Sequence, residues 1–180
     1  MVTASRLGLE NDQVRLVVYD ARWPLLFEDE ANRLREIVRD EFIKVEHIGS
    51  TAVPGLESKP IIDMMIGVRD DETRERVARR LSALGYEDKG ERGIAGRTFL
   101  TRGIPVTHHL HLVVYNEGFW ADHVLFRDYL RSKAEVARSY TEIKKRLASA
   151  YPDNRELYTL GKSDFITRVL EQALTEFTQH

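Results

Sequence analysis

Residues 61–68 read IIDMMIGV, continuously apolar except for one acid, Asp63. A run of this length falls far short of the roughly 18 residues of a membrane span. It reads instead as a strand covered on both faces. A chain containing such a strand needs a sheet with helices laid against it, which places it in the α/β (α+β) classes and not among bundles or sandwiches. The acid raises a functional question, because a carboxylate taken out of water costs several kcal/mol unless it gains partners.

The surrounding pattern supports a layered fold. RWPLLFEDEANRLREIVRDEF carries Leu25, Leu26, Phe27, Leu34, Ile37 and Val38 at helical spacing, with Pro24 suited to a first turn, so a helix is expected over about 24–40. FIKVEHI (42–48) alternates as a strand does. A helix follows from Asp70, stopped by Gly85, and short strands are expected near 85–88, 96–101 and 107–115. VRLVVYD (14–20) is short and β-rich, and residues 1–12 read as a polar, partly disordered lead-in. From 117 onward the pattern is helical. The expectation is a single domain over 1–180, with an α/β core at about 14–115 and a helical C-terminal part at 116–180.

Composition narrows the function. Lysine plus arginine number 27 against 29 acids, a net charge of −2, which argues against a nucleic-acid partner or an anionic membrane surface. The chain has no cysteine, which excludes disulfides, thiolate catalysis and cysteine zinc sites. The first residues lack an apolar h-region, so a cytoplasmic location is expected.

Four features carry chemistry. Gly49, Ser50 and Thr51 make a small-residue turn whose amides and hydroxyls suit a phosphate, and equally suit an ordinary turn. Asp63 is either a metal or lysine partner in a cleft or a structural aspartate bonded to loop amides. In THHLHLVVY, His109 and His111 share one strand face, so with Asp63 on a neighbouring strand they would form a two-histidine, one-carboxylate metal set. The same histidines would otherwise serve as hydrogen-bond donors or bind a phosphate as cations. Lys59, Arg97 and Lys162 are candidate phosphate cations, set against the ordinary reading of charges as a solvated face.

With these stretches together, the chain resembles the GrpB family of the nucleotidyltransferase superfamily. The resemblance is carried by YDARWPLLFEDE (19–30), VEHIGSTAVPGLESKPIIDMMIGV (45–68), HHLHLVV (108–114), LFRDYLRSKAEVARSYTEIKKRLA (125–148) and YTLGKSDFI (158–166). It implies a nucleotidyltransferase-like mixed sheet flanked by helices, with a helical C-terminal extension. It also implies a Gly49-Ser50 turn for nucleotide phosphates, Asp63 as a strand carboxylate, and magnesium as the divalent metal; the histidines themselves suit manganese or zinc better. The departure is at position 65, where Met replaces the second acid, while His109 and His111 stand on the later strand in place of a carboxylate.

Three functions follow as expectations. The first is metal-assisted transfer of a nucleotidyl group to an unknown acceptor, with Asp63, His109 and His111 as catalytic and metal residues and Gly49, Ser50, Thr51, Lys59, Arg97 and Lys162 on the phosphates. The second is a nucleotide- or anion-binding module of the same fold without the chemistry. The third is a hydrolase built on Asp63, His109, His111 and one transition metal. The amphipathic helices after 125 either cover the cleft or form a homodimer face.

Overall fold

The computed structural model describes residues 7–178. Its elements are α1 (Trp23–Val38), β1 (Lys44–Ile48), a 3-10 turn (Ser50–Ala52), β2 (Ile62–Val68), α2 (Asp71–Ser82), β3 (Glu87–Asp88), β4 (Thr98–Arg102), β5 (His108–Val114), α3 (Gly118–Ser132), α4 (Ala134–Ala150), α5 (Arg155–Leu160) and α6 (Ser163–Thr178). The strands form one mixed sheet in the order β1-β2-β5-β4-β3. Only β2 and β5 run parallel, with Asp63 opposite His109 and Met65 opposite His111.

Alternation along β2 divides its side chains between two layers. Ile62, Met64, Ile66 and Val68 join Leu100, Leu110 and Leu112 in a core roofed by Leu34, Val38, Val77 and Leu81 of α1 and α2. Asp63, Met65 and Gly67 face the other way, beside His109, His111 and Val113. Ile48, Met65, Val113 and Trp120 close that second layer at one end. Gly67 allows this closure, since a Cβ there would lie 2.8 Å from the rings of Trp120 and Tyr115. The Asp63 end of the face is left to the Ser50 turn and to α4–α6.

Two expectations are corrected. Residues 14–20 form no regular strand; Val17 makes a lone bridge to Ser58, and Val18 is exposed. The segment lies against the 58–60 loop, so its β-rich composition serves a loop contact. Of the lead-in, residues 1–6 lie outside the described residues, but Leu9 is 2% exposed and bridges Val106, with Gly8 N–H donating to Pro60 O at 2.7 Å. That one buried leucine fixes the strap. No helix among the described residues is long and apolar enough to cross a membrane.

Candidate functional site: a lysine-rich corner beside an Asp–His pair

Gly49 ends β1 with φ +69° and ψ −170°, a backbone region almost reserved for glycine. A Cβ there would lie 2.7 Å from Asp63 Oδ2, so the turn sits directly on the carboxylate. His109 Nδ1–H donates to Asp63 Oδ1 at 2.8 Å, the side-by-side pairing that strand parity places there. Burial opposes ionisation of Asp63, but the His109 hydrogen bond and the nearby Lys59 ammonium hold it well below the usual carboxylate range. The bond fixes the His109 tautomer and leaves Nε2 as an acceptor.

Three lysines converge on this corner. Lys144 of α4 is 1% exposed and donates to Ser50 Oγ at 3.1 Å and to the Glu57 carbonyl. Lys162 lies over the Tyr158 ring at 4.5 Å and Lys59 over the same ring at 5.5 Å. Beyond that ring, among the described residues, neither Lys59 Nζ nor Lys162 Nζ makes a hydrogen bond or an ion pair. Burial, then the charge of Lys162, pushes Lys59 down to about 7, against the pull of Asp63. Burial pushes Lys162 down to about 8, and burial plus Lys162 and Lys59 push Lys144 down to about 7. The local sequence builds this. Asn154 caps α5 by accepting from Leu157 N–H, and at Gly161 a Cβ would lie 2.5 Å from Leu147, so glycine lets the α5–α6 joint close onto α4.

The nine expected site residues separate. Gly49, Ser50, Lys59, Asp63, His109 and Lys162 come together. Thr51 is fully buried, its hydroxyl bonded to His47 Nε2 at 2.9 Å, so it faces the core and not the corner. Arg97 is turned onto the carbonyls of Glu91 and Arg92, and His111 stands with it, Arg97 Nη1 donating to His111 Nδ1 at 3.5 Å. Lys144, Tyr140 and Tyr158 were missed. Lys144 had a legible signal: with Tyr140 and Leu147 it lies on the apolar stripe of its helix, where a lysine is out of place. A surface concavity of about 710 Å³ between residues 53–57 and α4 contains none of these groups.

A metal fits this donor set poorly. Asp63 is the corner's one acid, its Oδ1 is engaged by His109, and ammonium groups surround it. Glu46, across from Met65 on the same face, is tied to Arg127 and Lys44. Among the described residues no three His, Asp or Glu side chains are grouped to hold an ion, so the set Asp63, His109 and His111 is not assembled as a chelate. Two-metal phosphoryl transfer needs several carboxylate oxygens, which are lacking here.

Comparison with known proteins agrees with this architecture. The family described as GrpB protein matches residues 13–172. YqkA of Bacillus subtilis is 39% identical over 162 residues, covering 89% of this chain; the chain spans 47% of that relative's length. The crystal structure of GrpB from Enterococcus faecalis superposes with a TM-score of 0.82 at 38% identity, over 91% of this chain and 99% of that one. A cytoplasmic RNA terminal U-transferase shares the fold, with a TM-score of 0.53 at 14% identity over 81% of this chain and 47% of that one.

Proposed function

The chain belongs to the GrpB family, and from that premise we propose that it binds a nucleoside triphosphate, or another phosphate-bearing small molecule, at the Ser50 corner. The observation that carries this reading is the pair of half-buried ammonium groups, Lys59 and Lys162, to which no anionic partner is bonded among the described residues. Partly desolvated cations bonded to no anion, with only the charge of Asp63 to favour them, are costly, and a multiply charged phosphate would relieve both at once. Lys144 would hold the Ser50 turn in place for it. The nucleotidyltransferase-like fold supports a nucleotide as the phosphate's bearer.

Isothermal titration calorimetry with inorganic tripolyphosphate and with ATP tests this, with and without a chelator. Saturable binding that the chelator leaves unchanged is expected, because lysines supply the countercharge. At a hundredfold excess over Kd the ligand should raise the melting temperature by about 5–10 °C. An absence of heat with both ligands at millimolar concentration would sink the proposal.

The Asp63–His109 pair favours a second reading, transfer of the nucleotidyl group. His109 Nε2 would take the proton of an acceptor hydroxyl, and its oxygen would attack the α-phosphorus. Pyrophosphate would leave as the P–O bond breaks, its charge held by the lysines. His109→Gln should then abolish pyrophosphate release while sparing tripolyphosphate affinity; retained turnover would remove His109 from that role.

The lysines also set a pH dependence. Unfolded lysines titrate near 10.4, whereas these titrate at about 7 to 8 in the fold. The unfolded chain therefore binds more protons across that interval, and stability rises with pH from about 7 toward 10. Phosphate affinity should fall over the same range as the ammonium groups are lost. Melting curves of the free protein at pH 7 and 9 check the first part: Lys59→Met should flatten the rise, and an identical slope in the variant would refute the assignment.

A further inference from the structure

Beside the corner, on the same sheet face, lies a row of rings that the phosphate reading does not use. Phe99 of β4 packs against both His109 and His111, with ring centroids 5.1 Å away in each case. His111 stacks on Phe119 at 5.3 Å, and Phe119 stacks on His123, one helical turn on, at 3.8 Å. Arg97 backs the row, 5.1 Å from the centroid of Phe99 and 5.4 Å from that of Phe119, its guanidinium fixed by the Glu91 and Arg92 carbonyls. Phe99, His111, Phe119 and His123 are all only half-buried. The neighbouring cluster of Ile48, Met65, Val113 and Trp120, against which Phe119 packs, is closed to solvent, so the partial exposure of these rings is a local property of the row.

We propose that this row is the seat of the nucleotide's base, a purine or pyrimidine ring stacked on Phe99 and Phe119 with its edge toward His111 and His123, while its phosphates reach the lysine corner. The inference rests on the phosphate reading above and adds the second half of the ligand. Three observations support it. The row is continuous with the corner, because Phe99 touches His109, which holds Asp63. Phe99 lies two strands across and two residues along from Asp63, and at about 4.8 Å per strand and 3.3 Å per residue that separation is roughly 12 Å, within the reach of one nucleotide. The histidines also offer a matched edge. His123 Nδ1–H donates to Phe119 O at 2.8 Å, which leaves Nε2 as an acceptor, whereas His111 Nδ1 accepts from Arg97, which leaves Nε2–H as a donor. Their rings are 6.1 Å apart. A donor beside an acceptor complements the paired donor and acceptor on the edge of adenine or uracil.

The test compares tripolyphosphate with ATP and UTP by calorimetry on the wild-type chain and on Phe119→Leu, which keeps apolar bulk and removes the ring. Wild type should bind a nucleotide about 5- to 100-fold more tightly than tripolyphosphate, the range of one base–aromatic stack. Phe119→Leu should erase that margin and leave tripolyphosphate affinity intact, which also certifies its fold. Equal affinity of wild type for tripolyphosphate and both nucleotides would overturn the proposal, as would an undiminished margin in Phe119→Leu. Should Phe119→Leu lose tripolyphosphate as well, Phe99→Leu decides by the same two criteria, and a margin that survives there overturns it. Wild type that binds ATP and not tripolyphosphate would defeat the lysine corner alone, and the ring site would then stand or fall on whether Phe119→Leu weakens ATP.

Discussion

Lys59→Met and Lys162→Met should each weaken tripolyphosphate binding by about 10- to 100-fold, the worth of one charge-assisted hydrogen bond, and the double variant should abolish it. Each should also make the free protein more stable. Methionine keeps most of the apolar stem that packs on Tyr158 and removes an ammonium group that burial disfavours, and in the case of Lys59 the charge of Lys162 as well. A gain of about 0.5–2 kcal/mol is the usual size when a functional strain is released, or about 2–4 °C per kcal/mol in a chain of this length. Lys144→Met should move stability the other way. Lys144 already has Ser50 Oγ and the Glu57 carbonyl as partners, and its loss strands buried polar atoms at about 1–3 kcal/mol. The sign of the change therefore separates a lysine that builds the corner from two that await a ligand. Differential scanning calorimetry reads it directly. A drop in melting temperature for both Lys59→Met and Lys162→Met would mean that these lysines support the fold, and the anion proposal would lose its basis.

The same contrast explains what could be read along the chain. Strand parity alone puts Asp63, His109 and His111 on one face once β2 and β5 are neighbours, and the apolar run from Ile61 makes β2 interior. The missing acid at Met65 is likewise plain in one line of residues. The lysine corner is not, because Lys144 meets Ser50 across 94 positions and Lys162 reaches the corner only after α5 folds back. Thr51 misled for a related reason. Beside Ser50 in a turn it looks equivalent, but the 3-10 turn rotates the two hydroxyls apart, one toward Lys144 and one toward His47. Arg97 misled because a cation near a cleft reads as a phosphate ligand until its donors are found on Glu91 and Arg92. Periodicity reports which face a residue takes, and it is silent on which distant element covers that face.

Gly49→Ala carries the largest expected loss and tests whether turn and carboxylate form one unit. Alanine at φ +69° and ψ −170° costs about 1–3 kcal/mol in the backbone alone. Its methyl would also lie 2.7 Å from Asp63 Oδ2 and 3.1 Å from Asp63 Cβ, an overpacking worth a further 1–3 kcal/mol or so. Relief would come by pushing the carboxylate off His109, so tripolyphosphate binding and any pyrophosphate release should fail together with stability. A double-mutant cycle with Asp63→Ala separates the two costs. Removing the carboxylate takes away the closer contact and leaves the backbone strain, so Gly49→Ala should cost about 1 kcal/mol less, or better, in that background. Asp63→Ala by itself lowers stability by removing the carboxylate that His109 bonds and that favours the charged forms of Lys59 and Lys162, and the cycle subtracts that effect. If the cost of Gly49→Ala is the same in both backgrounds, the glycine serves only the bend of the chain, and the turn does not rest on the carboxylate. A coupling of the expected size means that a side chain at 49 would collide with the aspartate, so the turn and the carboxylate form one unit that only glycine permits.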